Sequence, residues 1–313
     1  VRAFGTADQA TGRAMQPDFY SRIGSVTKTF TITGVLQLVD EGRIGLDDPV
    51  GRYVDGVPRG DEITLRQLAA MTSGLFDYTA TEQFDQALEA DPYRSYTPRE
   101  LLGWAFAEPE MFAPGEGFGY SNTNTILLGL VVEAVGGQSL ADYIHDAILT
   151  PLGLLHTSLP ATNTLPDPHP QGYTDQTGPV VAATNWDPSW EWAAGGMIST
   201  LDDLRIWARA VATGQLLSPA TQAQRLVMTA VPGAAPPSGY GLGIMNNNGW
   251  IGHSGALPGF EAFCAFLPDG QMTLVILTNT DVPYREPARG HVAAVANAIT
   301  KIVSPDYATL VAG

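Results

Sequence analysis

The sequence predicts an α+β fold, an antiparallel sheet flanked by helices with a mainly helical domain inserted into it. Three observations carry this. Strand-like segments lie towards both chain ends, apolar helical stretches fill most of the middle, and beyond Tyr240 the pattern turns to short alternating runs. The expected units are a discontinuous sheet domain of residues 1–60 and 236–313 and a helical domain of residues 61–235, with the functional site at their junction.

The elements follow in order. Val1 to Phe4 reads as a strand, Ala7 to Gly12 as a turn, and Tyr20 to Gly24 as extended chain leading into Ser25. From Val26 to Glu41, Phe30, Val35, Leu36, Leu38 and Val39 form a helical stripe that Gly42 ends. Helices are expected over Ile63–Met71 with Thr64 as N-cap, Pro98–Ala107 behind Thr97, Thr123–Val135 ending at Gly136-Gly137, and Leu140–Leu149. Thr157 to Trp192, rich in Pro, Thr and Asp, reads as long surface loops. Leu201–Thr213 is expected as a helix with Ile206, Trp207 and Ala210 inward. Trp250–Leu257, Ala262–Leu267 and Thr273–Thr278 read as strands, the first as a sheet edge, and His291–Val303 as a final helix. Strands at both ends suggest a sheet assembled from both ends of the chain.

Composition narrows the function. The chain has 313 residues, 44% hydrophobic, and no apolar run long enough to span a membrane as a helix. A net charge of −16 disfavours nucleic acid as a partner, because phosphate binding needs a basic face. The single cysteine, Cys264, excludes an intramolecular disulfide and reads as a small buried hydrophobe. His145, His156, His169 and His291 match no zinc spacing, and neither a metal nor another cofactor is expected.

Chemistry concentrates in three patches. Only two lysines occur, and one of them, Lys28, follows Ser25 by three residues, about one helical turn. A serine hydroxyl attacks a carbonyl only when a neighbour takes or polarises its proton, and a lysine of lowered pKa can do so. Tyr120-Ser121-Asn122 precedes an apolar helix. Tyr120 reads either as a phenolate base, its charged form favoured by a nearby ammonium, or as a proton relay. Asn122 suits contact with Lys28 and a substrate carbonyl, or a helix cap. His253-Ser254-Gly255 brings a histidine able to help deliver a proton to the leaving group. Beyond Gly255 the strand backbone offers an N–H to an oxyanion, beside that of Ser25.

With their flanks, these patches resemble the penicillin-recognising serine hydrolases, the superfamily of serine β-lactamases and D,D-peptidases. The resemblance covers nearly the whole chain and is carried by Ala7–Ala14, Gly24-Ser25-Val26-Thr27-Lys28, Leu36–Gly42, Tyr120–Asn124, Tyr240-Gly241-Leu242-Gly243 and Gly252-His253-Ser254-Gly255. It implies that Ser25 is acylated, that Lys28 is its partner, that Tyr120 acts as the general base or acid, and that Asn122 binds substrate. It also implies that His253 opens the third motif and that the N–H groups of Ser25 and Ala256 form the oxyanion hole. The implied reaction is D,D-carboxypeptidase-like, on acyl-D-Ala-D-Ala peptides of peptidoglycan, with ester or β-lactam hydrolysis as the neighbouring alternative and a non-hydrolysing penicillin sensor as a third. An exported bacterial location, periplasmic, cell-envelope or secreted, goes with it.

Two departures qualify the resemblance. The arginine that such carboxypeptidases carry just after Tyr-Gly-Leu-Gly is absent, the run here being Ile244-Met245-Asn246, and the carboxylate-contacting threonines are replaced by Ser254 and Ala256. Strict recognition of a free carboxylate is therefore not expected. Trp190 and Trp192 stand where the family's cleft wall is expected, either as an apolar subsite or as packing. The family's leading helix and first strand have no counterpart before Val1, from which a longer native protein is expected.

Overall fold

The computed structural model describes residues 1–234, 236–283 and 290–309. The chain opens with a small hairpin, β1 (Thr6–Asp8) and β2 (Arg13–Ala14), followed by β3 (Ser21–Arg22) and helix α1 (Thr27–Asp40). The helical region holds α2 (Leu65–Ala69), α3 (Glu82–Ala90), α4 (Pro98–Ala107), α5 (Asn122–Gly136), α6 (Leu140–Ile144) and α7 (Thr150–Leu152). Then come β4 (Tyr173–Thr174), β5 (Val181–Ala182), α8 (Trp192–Gly195), β6 (Ile198–Ser199), α9 (Leu201–Thr213) and α10 (Pro219–Arg225). Strands β7 (Gly239–Tyr240), β8 (Met245–Asn247), β9 (Trp250–Leu257), β10 (Phe260–Leu267) and β11 (Met272–Thr278) precede α11 (His291–Val303).

The sheet is antiparallel, in the order β11-β10-β9-β8-β7. All five strands come from the C-terminal part, so the sheet is not built from both chain ends. The N-terminal strands pair elsewhere, β1 with β2 and β3 with β6. Val1 to Phe4 form no strand: Val1 and Phe4 are exposed, and pairing starts only after Gly5 turns the chain at φ +84°. The α+β character and the flanking helices are as the sequence predicts.

Period-two alternation places the sheet between two layers. On β10, Phe260, Ala262, Cys264 and Phe266 belong to the main core with α1 and α9, while Phe263, Ala265 and Leu267 pack with Val292 and Ala296 of α11. In α9, Trp207 and Ala210 are buried as expected, but Ile206 is exposed because it lies one step round the helix from the buried stripe.

Helix α1 is buried almost all round, so its threonines find partners inside. Thr31 Oγ1 donates to Ala193 O at 2.8 Å, Trp207 Nε1 donates to Thr29 Oγ1 at 2.8 Å, and Arg225 Nη1 donates to Thr33 Oγ1 at 2.8 Å. Phe30 stacks on Trp207 with ring centroids 3.9 Å apart. These contacts fix the helix that carries Lys28. Gly129 of α5 lets α8 approach, since a Cβ there would lie 2.6 Å from Ala193 Cβ.

Several boundaries differ from the sequence reading. The helix expected over Ile63–Met71 is only α2, although Thr64 caps it as expected, in a capping box with Gln67. Beyond Ile144 the expected single helix loosens into a π turn, His145–Leu149. The stretch 157–192 is mostly loop but not all surface, because Leu159, Leu165, Ala183, Trp186 and Trp190 join the core. Helix α3 was not expected; Thr81 accepting from Phe84 N and the acids Glu82 and Asp85 in its first turn are its sequence signal. No single helix among the described residues is long and apolar enough to cross a membrane.

Candidate active site

Two glycines bring the site together. Ser25 sits in a 3₁₀ turn, Gly24–Val26, that leads straight into α1. A Cβ on Gly24, whose φ is +49°, would lie 2.7 Å from Ala256 N, and one on Gly255 would lie 2.1 Å from Ile23 O and 2.7 Å from Ser25 N. Only glycines allow this backbone approach, and it places the amides of Ser25 and Ala256 side by side.

Strand β9 is not a simple edge. β8 pairs with Trp250 to Gly252 only, so the half holding His253 to Leu257 is open on that side. Leu257 and Phe260 close a two-residue hairpin with β10, which makes Ala256/Glu261 the next, non-hydrogen-bonded pair. The Ala256 N–H therefore points away from β10, towards Ser25.

Lys28 is fully buried. Its Nζ lies 2.9 Å from Ser25 Oγ, 2.6 Å from Asn122 Oδ1 and 2.9 Å from Ala194 O. The Tyr120 ring centroid is 5.0 Å away. Burial pulls Lys28 down to about 8, opposed by the negative charges of Glu191 and Asp77. The three contacts suit both forms of the amine. An ammonium donates to all three acceptors, whereas the neutral amine donates to Asn122 and Ala194 and accepts from the Ser25 hydroxyl.

Asn122 begins α5 without capping it; Ser121 takes the N-cap position. The Asn122 amide spans two charges, its oxygen on Lys28 and its Nδ2 donating to Asp77 Oδ2 at 3.3 Å. Tyr120 is 37% exposed, and its side chain is hydrogen-bonded to Ser25. Burial pushes Tyr120 above its ordinary value, and Glu191 and Asp77 push it further, against the hydrogen bond to Ser25. Of the two readings of Tyr120, phenolate base and proton relay, burial disfavours the first.

His253 lines the same cavity as Ser25 and Tyr120. Its Nε2 lies 3.1 Å from Tyr240 OH and its Nδ1 faces Ser254 O. Burial takes it down to about 3, so it is neutral.

Of the remaining residues, Met245 and Ser254 line this cavity, with Ser254 Oγ 3.9 Å from Met245 Sδ, and Gly255 forms the backbone contact already described. Trp190 lines a second cavity on the other side of Ala256 and packs edge-on against Phe84. Trp192 lies in neither; its ring packs on Gly129 and borders a separate hollow beside Leu159. Two residues apart across the start of α8, the two tryptophans point in different directions.

The sequence reading missed Asp77, Glu191 and Tyr240. Glu191 is 4% exposed, and burial raises it to about 7 against the opposing charge of Lys28. Its sequence signal is a lone acid inside the apolar run Trp190-Glu191-Trp192-Ala193-Ala194. Among the described residues no group of three His, Cys, Asp or Glu side chains is placed to hold a metal ion.

Residues 1–297 match the family model described as Beta-lactamase. Among curated proteins the chain is similar to Protein flp of Staphylococcus aureus (strain N315), 29% identical over 90% of this chain and 57% of that protein. It is also similar to the putative penicillin-binding protein PbpX of Bacillus subtilis (strain 168), 26% identical over 89% of this chain and 66% of that one. The chain thus spans about 57–66% of the length of these two relatives. Among solved structures it resembles a D-stereospecific amidohydrolase from Streptomyces sp., TM-score 0.81 and 35% identity over 84% of this chain and 83% of that one. A D-amino acid amidase from Ochrobactrum anthropi SV3, complexed with L-phenylalanine amide, gives TM-score 0.79 and 26% identity over 90% and 83%.

Proposed function

We propose, for a chain that belongs to the Beta-lactamase family, a two-step acyl transfer in which Ser25 is the acylated nucleophile of a serine hydrolase. The observation that carries this reading is the buried Lys28, in contact with Ser25 Oγ and pulled towards its neutral form.

Neutral Lys28 takes the Ser25 proton as Oγ attacks the substrate carbonyl. The oxyanion forms between the N–H groups of Ser25 and Ala256, where each such donor contributes on the order of 3 kcal/mol to the barrier. Tyr120 then gives its proton to the leaving-group nitrogen or oxygen and is reprotonated from Lys28. Water attacks the acyl ester in the second step, and the same groups run in reverse. His253, already engaged on both nitrogens, holds the wall of the site and carries no proton to the leaving group.

The finer question is the leaving group. Tyr120 places it in the cavity of about 340 Å³ that Met245, His253, Ser254 and Glu261 line. Among the described residues no cation lines it, and Glu261 is an acid. Among the described lining residues a free carboxylate meets no cation, which supports hydrolysis of an amide or ester with a neutral leaving group. The amidohydrolase and amidase likenesses support amino-acid amides as the class. A D,D-carboxypeptidase-like activity on acyl-D-Ala-D-Ala peptides stands second, favoured by the likeness to penicillin-binding proteins.

Intact-mass detection of adducts tests the reading. Exposure to a penicillin, a p-nitrophenyl ester or an acyl-D-Ala-D-Ala peptide is expected to add one acyl group, and Ser25→Ala to abolish it. Unchanged labelling of Ser25→Ala would overturn the assignment.

A further inference from the structure

The cavity on the other side of Ala256 is larger, about 510 Å³, and is shaped for the acyl half of the substrate. Asn122 and Ala256 form its inner end, next to the site of attack. Phe84, Leu88 and Trp190 make an apolar wall. The only charged side chains lining it, among the described residues, are the acids Asp85, Glu89 and Glu191.

Asp85 and Glu89 stand one turn apart on the exposed face of α3 and by themselves are an ordinary solvated rim. Glu191 is different. It is buried at the base, and its Oε2 is enclosed with no hydrogen-bond partner. The carboxyl group rests over Gly195, where a Cβ would sit 2.1 Å from Oε2, so only glycine leaves room for it. Lys28 is the cation nearest in charge, yet its three positions are already taken by Ser25, Asn122 and Ala194. A buried carboxylate oxygen without a donor is unfavourable. A donor that arrives with the substrate and carries positive charge would relieve it.

We propose that this cavity is an ammonium subsite, in which the Glu191 carboxylate anchors the free amino group of an amino-acid or peptide substrate. The substrate's apolar side chain lies against Phe84, Leu88 and Trp190, and Asp85 and Glu89 attract the cation at the rim. The inference rests on acylation of Ser25 and adds the chemical class of the acyl half.

The test is protection of Ser25 from labelling by a fluorophosphonate, read by intact mass. D-phenylalaninamide and N-acetyl-D-phenylalaninamide, which differ in the charge of the amine, compete with the label. The free amine is expected to protect at least about 10-fold better, and Glu191→Gln to remove that advantage. Asp85→Asn with Glu89→Gln, on an exposed helix face, is expected to reduce it less. Equal protection by the two amides, or none by either, in the wild type overturns the ammonium subsite whether or not the Glu191 variant folds. A 10-fold advantage kept in folded Glu191→Gln overturns Glu191 as the anchor. Failure of any reagent to label Ser25 overturns the acyl-transfer reading itself, and this inference with it.

Discussion

Tyr240 donates its phenolic proton to Nε2 of His253 across 3.1 Å. The direction follows from the other side of the ring, where Nδ1 faces the carbonyl oxygen of Ser254, which can only accept. Nδ1 must carry the proton and Nε2 the lone pair. Burial agrees, holding His253 down to about 3 and Tyr240 well above its ordinary value. The sequence reading of His253 as a proton donor to the leaving group is therefore replaced by a positioning role, shared with a tyrosine that sits 13 residues earlier in the chain.

His253 is thus expected to show no titration between pH 5 and 9. Ring ¹⁵N shifts should report the Nδ1–H tautomer throughout, and kcat/KM should show no limb near 6.5, the ordinary histidine value. Tyr240→Phe leaves a buried Nε2 without its donor and is expected to lower kcat/KM about 10-fold, roughly 1.4 kcal/mol. A histidine signal that titrates near neutrality in the wild type would contradict the tautomer.

Lys28 sets a different limb. Acylation needs its neutral form, and burial places it at about 8 rather than 10.5. The rate of Ser25 labelling is expected to rise about tenfold per pH unit below 8 and to level off above it. Glu191 acts on Lys28 in the raising direction. Removing that charge in Glu191→Gln should move the limb to lower pH, and stopped-flow labelling at pH 6 to 9 measures it. A limb that moves upwards, or stays in place, would show that the carboxylate does not face the amine.

Gly255→Ala tests the backbone contact. The added methyl group would meet Ile23 O at 2.1 Å, a clash between two backbones that no side chain can relieve. The turn holding Ser25 must shift, and the amides of Ser25 and Ala256 with it. Labelling is expected to fall by about 100-fold or more, the size of losing an oxyanion donor. Circular dichroism and melting temperature separate this from unfolding. Near-normal labelling in a folded variant would count against the paired amides.

What was legible in the chain was local. Ser25 and Lys28 announce themselves because one helical turn separates them, and Thr64 and Thr97 announce helix starts because a cap is a contact across three residues. The run Ala262–Leu267 reads as a strand from its own residues, and it lies within β10. What was hidden is tertiary. Nothing near Tyr240 in sequence says that its hydroxyl meets His253. Glu191 looks like one of 32 acids until burial leaves its Oε2 without a donor. The strand of His253 reads as an edge, yet it is one only past Gly252, where β8 stops. Tyr120 reads from sequence as either a phenolate base or a proton relay, and it is burial, a tertiary property, that disfavours the charged form.

The leaving-group cavity supplies the last prediction. Met245 stands on β8 opposite Gly252, with its Sδ 3.9 Å from Ser254 Oγ. It lines the cavity together with the acid Glu261, and no cation among the described residues lines that space. Among the described lining residues, a substrate ending in a carboxylate sheds its hydration beside a thioether, a neutral imidazole and an acid. Met245→Arg offers a guanidinium fork in its place, and a two-point contact with a carboxylate is among the stronger charge-assisted bonds. The ratio of kcat/KM for an acyl-D-Ala-D-Ala peptide over its C-terminal amide is expected to rise about 10-fold in the variant. Part of the gain is offset because Glu261, held above its ordinary value by burial, competes for the same guanidinium. Adding Glu261→Gln to Met245→Arg should therefore raise the ratio further. Steady-state kinetics on the two peptides decide the matter, and a ratio unchanged in both variants would place carboxylate recognition on some other part of the site.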